Sequence, residues 1–229
     1  ALLADSTNAE RPGFTSSEKL VGGSFSNLFK KAEGRRIIVA TFSSNIHRIQ
    51  QIIDEAVKCD RKVAISGRSM INVVHIASEL GYLKVPENVL IEIEAIKNYT
   101  PDKLVIITTG SQGESMAALS RMASNMHRKI SIGPQDTIIF SSSPIPGNEK
   151  TVAAVTNELF KIGAEVIYSA LADVHVSGHA CKEELKLILA LTKPKYFIPV
   201  HGEHRKLVFN KKMDEKIGIA EENVFILSN

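Results

Sequence analysis

The chain has 229 residues, 44% of them hydrophobic and 23% charged, which is an ordinary globular composition with enough length for a sizeable core in one large domain or two small ones. Its two cysteines, Cys59 and Cys181, lie too far apart for a Cys-x-x-Cys pair and exclude a disulfide framework, pointing to a reducing, cytoplasmic setting. No apolar run reaches the length of a bilayer span and no signal peptide precedes the first strand, so no membrane partner is expected; the formal charge of +3 permits a polyanionic partner without arguing for one.

Residues 1–4 read as a buried strand running into the polar cluster Asp5-Ser6-Thr7-Asn8. A strand that begins at the first residue points to a chain cut from something longer, a processed or engineered start being the alternative. Arg11-Pro12-Gly13 is a turn, and residues 16–31 a helix capped by Ser16 or Ser17 and weakened by Gly22 and Gly23. A regular alternation follows. Strands are predicted at 37–42, 62–66, 89–93, 104–108, 137–140, 165–168, 196–200 and 224–227. Helices are predicted at 45–58, 69–80, 115–126, 148–162, 181–192 and 204–216. Short apolar strands alternating with amphipathic helices make an α/β protein: a Rossmann-like parallel sheet with helices on both faces. Right-handed crossovers bring the strand ends that matter to one edge.

Polar turns recur at those ends. Thr108-Thr109-Gly110-Ser111-Gln112-Gly113-Glu114 leaves a buried strand and is expected to enter a helix, which makes it either an anion pocket at a helix N-terminus or a plain Gly-rich connection. It matches neither the dinucleotide fingerprint nor the P-loop. Ser141, Ser142 and Ser143 precede the rigid Pro144-Ile145-Pro146-Gly147 loop, with Asn148 as the expected helix cap. Ser43, Ser44 and Asn45 lie near Arg48, and Gly67 beside Arg68; together these turns describe a surface suited to a phosphate-bearing ligand. The pairs Lys30-Lys31, Arg35-Arg36 and Lys211-Lys212 read as solvated faces, Phe42 and Tyr196 as core, and His75 and His127 as structural.

The stretch from 173 to 203 places two histidines beside glycines, just past strand-like segments and about one strand–helix–strand unit apart. Any single loop histidine is ordinarily a hydrogen-bonded surface side chain; two in corresponding turns converge on one sheet edge as metal ligands or acid/base groups. Asp5, His175, His179, His201 and Glu203 are the candidates, and they supply the last ligand of a catalytic metal site rather than the whole of one.

The run of Asp5-Ser6-Thr7-Asn8, the Thr109–Glu114 turn, Ser141 through Asn148, Ser177-Gly178-His179-Ala180 and Pro199-Val200-His201-Gly202-Glu203 resembles, in this order, the ribonuclease J family in the β-CASP branch of the metallo-β-lactamase superfamily. The resemblance covers essentially the whole chain. It implies a β-CASP domain over 16–166, flanked by metallo-β-lactamase segments 1–15 and 167–229. It implies that Asp5 and His179 are catalytic and that His201 ligates one of two divalent metal ions, usually zinc, which activate a water against an RNA phosphodiester. Ser177, Gly178 and Ala180, with Gly110, Ser111, Gln112, Gly113 and Glu114, resemble the parts that hold RNA phosphates, including the 5′-monophosphate that directs 5′-to-3′ exonuclease attack; the family also cuts internally and is homo-oligomeric. The chain departs from the family in lacking the His-x-His-x-Asp-His cluster and the oligomerising C-terminal region, and in carrying Ser115 where relatives often have Pro. The expectation is therefore a nuclease piece that is inactive alone. The alternatives are a non-catalytic RNA-binding module and a Rossmann-like nucleotide-binding module.

Overall fold

The computed structural model describes residues 1–114, 116–145, 147–168, 171–172, 174–214 and 218–227, the side chain of residue 214 excepted. Ser115, Pro146, Asp173 and the 215–216 end of the last expected helix lie outside the described residues. The elements are β1 (Leu2–Asp5), α1 (Lys19–Lys31), β2 (Arg36–Ala40), α2 (Ile46–Lys58), β3 (Lys62–Ser66), α3 (Arg68–Glu79), β4 (Leu90–Ile91), β5 (Leu104–Thr108) and α4 (Ala118–Ala123). Then come β6 (Asp136–Phe140), α5 (Glu149–Ile162), β7 (Glu165–Ile167), α6 (Lys182–Thr192), β8 (Phe197–Val200) and α7 (His204–Asp214). They fall into two compact units, one made of Ala1–Ser17 with Val176–Asn229, the other of Glu18–His175. No described helix is long and apolar enough to cross a membrane.

The unit formed by Glu18–His175 is built on a six-stranded sheet of order β4-β3-β5-β2-β6-β7, parallel throughout. Its strands are continuous apolar runs, with all five residues of β5 and of β6 buried, because helices cover both faces. The order explains the cover. From β2 the chain steps to β3 and β4 on one side, and from β5 to β6 and β7 on the other. Right-handed crossovers then set α2 and α3 on one face and α4 and α5 on the opposite one. Side chains alternate along each strand accordingly: Ile38, Ala40, Ile106, Ile138 and Phe140 pack with Leu119 and Met122 of α4 and Leu159 of α5. The expected α/β class is thus found.

Several boundaries move, for local reasons. Helix α1 starts at Lys19, with Glu18 rather than Ser16 or Ser17 in the N-cap position; the Glu18 carboxylate makes no cap bond and pairs with Arg48. The expected 89–93 strand shrinks to two residues and passes into a 3-10 turn at Ile93–Asn98. The 115–126 helix is only the six residues of α4: Leu119 N–H donates to Thr109 O (3.1 Å), and Asn125 turns left-handed (φ 55°). The 224–227 strand is reduced to one bridge, Val224 against Phe197. Tyr196, expected in the core, is 39% exposed, and Phe42 is only half-buried.

Charged residues hold this unit together from within. Arg35 and Arg36 are not a solvated face. Arg36 grips the fully buried Asp136 through Nε (2.8 Å) and a second nitrogen (2.7 Å), while Arg35 donates to the carbonyls of Pro134 and Asp136 and to Thr137. His127 is structural, as expected. Its Nδ1 accepts the N–H groups of Lys129 (3.3 Å) and Ile130 (3.2 Å), so the ring proton sits on Nε2 and is donated to Ser66 Oγ (3.2 Å). Burial, then the neighbouring Arg121 and Lys129, push its pKa down.

Two outcomes follow from these contacts. Asp136→Ala leaves Arg36 without its partner and costs about 3–5 kcal/mol of stability, read by urea unfolding. A histidine with a lowered native pKa contributes no pH dependence above its unfolded value of about 6.5; below it the unfolded chain takes the proton first, and stability falls until the native value is passed. His127→Gln therefore makes the loss of stability on acidification below about pH 6.5 shallower than in the wild type.

Candidate metal and acid–base site

The unit formed by the two chain ends is built on the parallel pair β1–β8, with Leu2 opposite Phe197 and Asp5 opposite Val200. Leu189, Phe197 and Val224 pack beneath it with Leu2 and Ala4. Its register carries Asp5 and His201 out of the sheet at the same edge. Ser6 N–H extends the pairing by one bond to Val200 O (2.8 Å). His201 then turns left-handed (φ 53°), and Thr7 Oγ1 donates to its carbonyl (3.1 Å). Gly202 lies against β1's exit: a Cβ there would stand 3.4 Å from Ser6 Cβ and 3.3 Å from Lys206 Cβ.

Asp5 is held at both oxygens. One accepts the N–H of Thr7 (2.6 Å), an Asx turn; the other pairs with Nδ1 of His179. Burial alone would raise the Asp5 carboxyl, but the hydrogen bonds from Thr7 and His179 and the charge of His179 outweigh it and hold the pKa below its ordinary value. A carboxylate acceptor requires the proton on Nδ1, so Nε2 of His179 is the ring's other working atom. The His179 and His201 ring centroids are 5.4 Å apart with a 34° tilt. One ligand atom from each of Asp5, His179 and His201 lies within 4.8 Å of the others.

That donor set, two imidazoles and a carboxylate, suits a divalent ion of the zinc type. Because the Asp5–His179 pair engages one oxygen and Nδ1 with each other, His201 is the member best placed to ligate, with the pair beside it. Of the other candidates, Glu203 is ion-paired with Arg205 (2.7 Å), and His175 falls in the other unit; neither belongs to the cluster.

The turn carrying His179 is anchored from below. Ser177 Oγ accepts His179 N–H (3.2 Å) and the carboxamide of Asn8 (2.9 Å), which also donates to His179 O (3.0 Å). Glu184 accepts Thr15 N–H (2.9 Å), the Thr15 hydroxyl (2.5 Å) and Cys181 N–H (2.8 Å), closing a capping box at the start of α6. Gly178 faces open space, and Ala180 packs on the small cluster of Ala9, Leu185 and Met213. Thr7 and Asn8 stand in the sequence only as members of the Asp5–Asn8 run, with no role of their own, and Thr15 and Glu184 are not marked there at all. A short polar run directly after Asp5 was the available signal for the first two.

The remaining expected phosphate contacts belong to the Glu18–His175 unit, and several do scaffold work there. Arg48 is not on a surface: it is fully buried, its guanidinium bonded to Glu18 (2.8 Å), to Ser141 Oγ and to Val174 O (2.6 Å). Ser141 Oγ in turn donates to Val174 O (2.7 Å). Gln112, 3% exposed, clasps the facing loop: its amide donates to Ser143 O (3.0 Å) and Ser142 Oγ (3.3 Å), and its carbonyl accepts Ile145 N–H (2.7 Å). Gly113 adopts φ +73°, and a Cβ on it would meet the Thr151 backbone at 2.6 Å, so its close approach is to α5. Ser111 is buried as well, and Glu114 and Arg68 are exposed. The Gly110–Glu114 turn does not open a helix, since α4 begins only at Ala118.

The comparisons agree with this anatomy. Residues 34–159 match the family model described as "Ribonuclease J, beta-CASP domain", and residues 164–227 match "Zn-dependent metallo-hydrolase RNA specificity domain". The chain is 49% identical to Ribonuclease J 1 of Streptococcus pyogenes over 100% of its own length and 40% of that protein's. It is 47% identical to Ribonuclease J of Helicobacter pylori, covering 100% of this chain and 33% of that one, and 43% identical to Ribonuclease J2 of Bacillus subtilis, covering 99% and 40%. It thus spans two fifths or less of the curated relatives it matches. Among solved structures, a protein of unknown function from Enterococcus faecalis shares the fold, with a TM-score of 0.58 at 13% identity over 100% of this chain and 49% of that one. A polypeptide with this sheet, with Asp5, His179 and His201 gathered at the β1–β8 edge and with these matches along its length, belongs to the ribonuclease J family, in the β-CASP branch of the metallo-β-lactamase superfamily.

Proposed function

We propose that this chain is the RNA-handling part of a metal-dependent ribonuclease, cutting phosphodiesters from 5′-monophosphorylated ends and internally. The observation that carries the reading is the Asp5–His179 pair set beside His201 at the shared edge of β1 and β8. Asp5 fixes the ring orientation and tautomer of His179 through Nδ1, which leaves Nε2 to face a phosphate oxygen or the leaving oxygen. His201 would hold one of two divalent ions, zinc by its donor type; bound metal supplies the activated water. Ser177 and the Gly178 backbone, with Ala180 behind them, take the phosphate next to the histidine. The other metal ligands, including a His-x-His-x-Asp-His cluster, are assigned to polypeptide beyond the residues here. So are the contacts of a homo-oligomer, working in the cytoplasm. The segments 1–15 and 167–229 would then complete a metallo-β-lactamase domain around the 16–166 β-CASP domain.

On this reading the isolated chain is an RNA-binding module without turnover. The purified chain, supplied with zinc and a 5′-phosphorylated RNA, binds it in a salt-dependent way and leaves it intact. Chelator-sensitive hydrolysis by this chain would overturn the assignment of the missing ligands. His179→Ala weakens RNA binding about tenfold through loss of a charge-assisted contact. In the chain joined to the rest of its ribonuclease, Asp5→Asn lowers kcat by about 10²–10⁴ with little change in KM, measured under steady-state conditions.

A further inference from the structure

Asn8 is 6% exposed and lies just past β1, where its backbone bridges to Cys181. Its carboxamide nitrogen donates twice, to Ser177 Oγ (2.9 Å) and to the carbonyl of His179 (3.0 Å). The second bond fixes the amide's orientation, because a carbonyl only accepts. Thr15 Oγ1 also stands 3.1 Å from that carbonyl, but its single proton is claimed by the Glu184 carboxylate at 2.5 Å. Asn8 is therefore the side-chain donor that the His179 carbonyl relies on.

The consequence falls on Ser177. A hydroxyl oxygen has two lone pairs and one proton. Asn8 fills one lone pair and His179 N–H, at 3.2 Å, approaches the other. The remaining valence of Ser177 is its proton, for which no acceptor stands among the described residues, and a Cβ on the neighbouring Gly178 would meet open space. Phosphate oxygens are acceptors only, so a serine locked as a donor is matched to them in advance.

We propose that Asn8 is a positioning residue that polarises the Ser177 hydroxyl into a fixed donor for an RNA phosphate and holds the His179 turn beside it. This rests on the RNA-binding reading above and extends it one layer behind the contact residues. It also explains why the residue is Asn. A carboxylate at the same place would repel the His179 carbonyl and draw the Ser177 proton inward, away from the ligand.

The test uses the 229-residue chain and a fluorescent 5′-phosphorylated oligoribonucleotide. Ser177→Ala and Asn8→Asp each weaken binding about tenfold, and the double variant stays within about twofold of either single one. Additive losses in the double variant, or wild-type affinity in Asn8→Asp, would overturn the proposal. A second readout needs no RNA. In Asn8→Ala the Lys182–Arg11 and Glu183–Gly13 backbone bonds and the Thr15–Glu184 contact still dock the segment. Hydrogen exchange at the His179 amide then accelerates about tenfold while the β1–β8 amides keep their protection; an unchanged His179 rate sinks the proposal. Should the wild-type chain bind no RNA, the functional reading fails, and the exchange result still decides the role of Asn8.

Discussion

The site depends on one backbone pairing between distant residues. Strand β1 lies parallel to β8, and that register alone sets Asp5 level with Val200 and so beside His201. Nothing local could do it, since the partners stand at opposite ends of the sequence. A slip of one residue would turn Asp5 to the other face of the pair and break its contact with His179. The surrounding polar network, from Thr7 to Glu184, fixes the side chains only after this backbone alignment has brought them within reach.

In the Glu18–His175 unit, polar residues mostly serve the scaffold. Burying an Arg demands partners for its donors, and Arg48 finds them in Glu18, Ser141 and Val174. Gln112 does the same for two facing loops with one amide. These residues are hydroxyl, amide and guanidinium groups near strand ends, so they look like ligand contacts in one dimension. What they touch is settled by the third.

This is why the fold was legible and the site only partly so. The alternation of β2 through β7 with helices is written in periodic burial, and the boundaries that shifted did so where a tertiary bond overrode local preference, as at Glu18 and Thr109. Asp5, His179 and His201 could be singled out because chemistry narrows the residue types and the resemblance fixes their order. Arg48 could not be read correctly. Its amphipathic helix shows where the side chain starts, while its burial depends on a loop more than a hundred residues later. Asn8 was visible as part of a polar cluster, yet its task is defined by Ser177 and His179, neither of them its neighbour in sequence.

The reach of Arg48 has a bearing on how the chain acquires its structure. By bonding both Glu18 and Val174, it staples together the first and last stretches of the continuous Glu18–His175 unit. The other unit is assembled from segments on either side of that insertion, and closing so long a loop in an unstructured chain would cost about 4–5 kcal/mol in entropy. Once the inserted unit has folded, the two crossings leave it from residues held by a single guanidinium, and most of that entropy has already been surrendered.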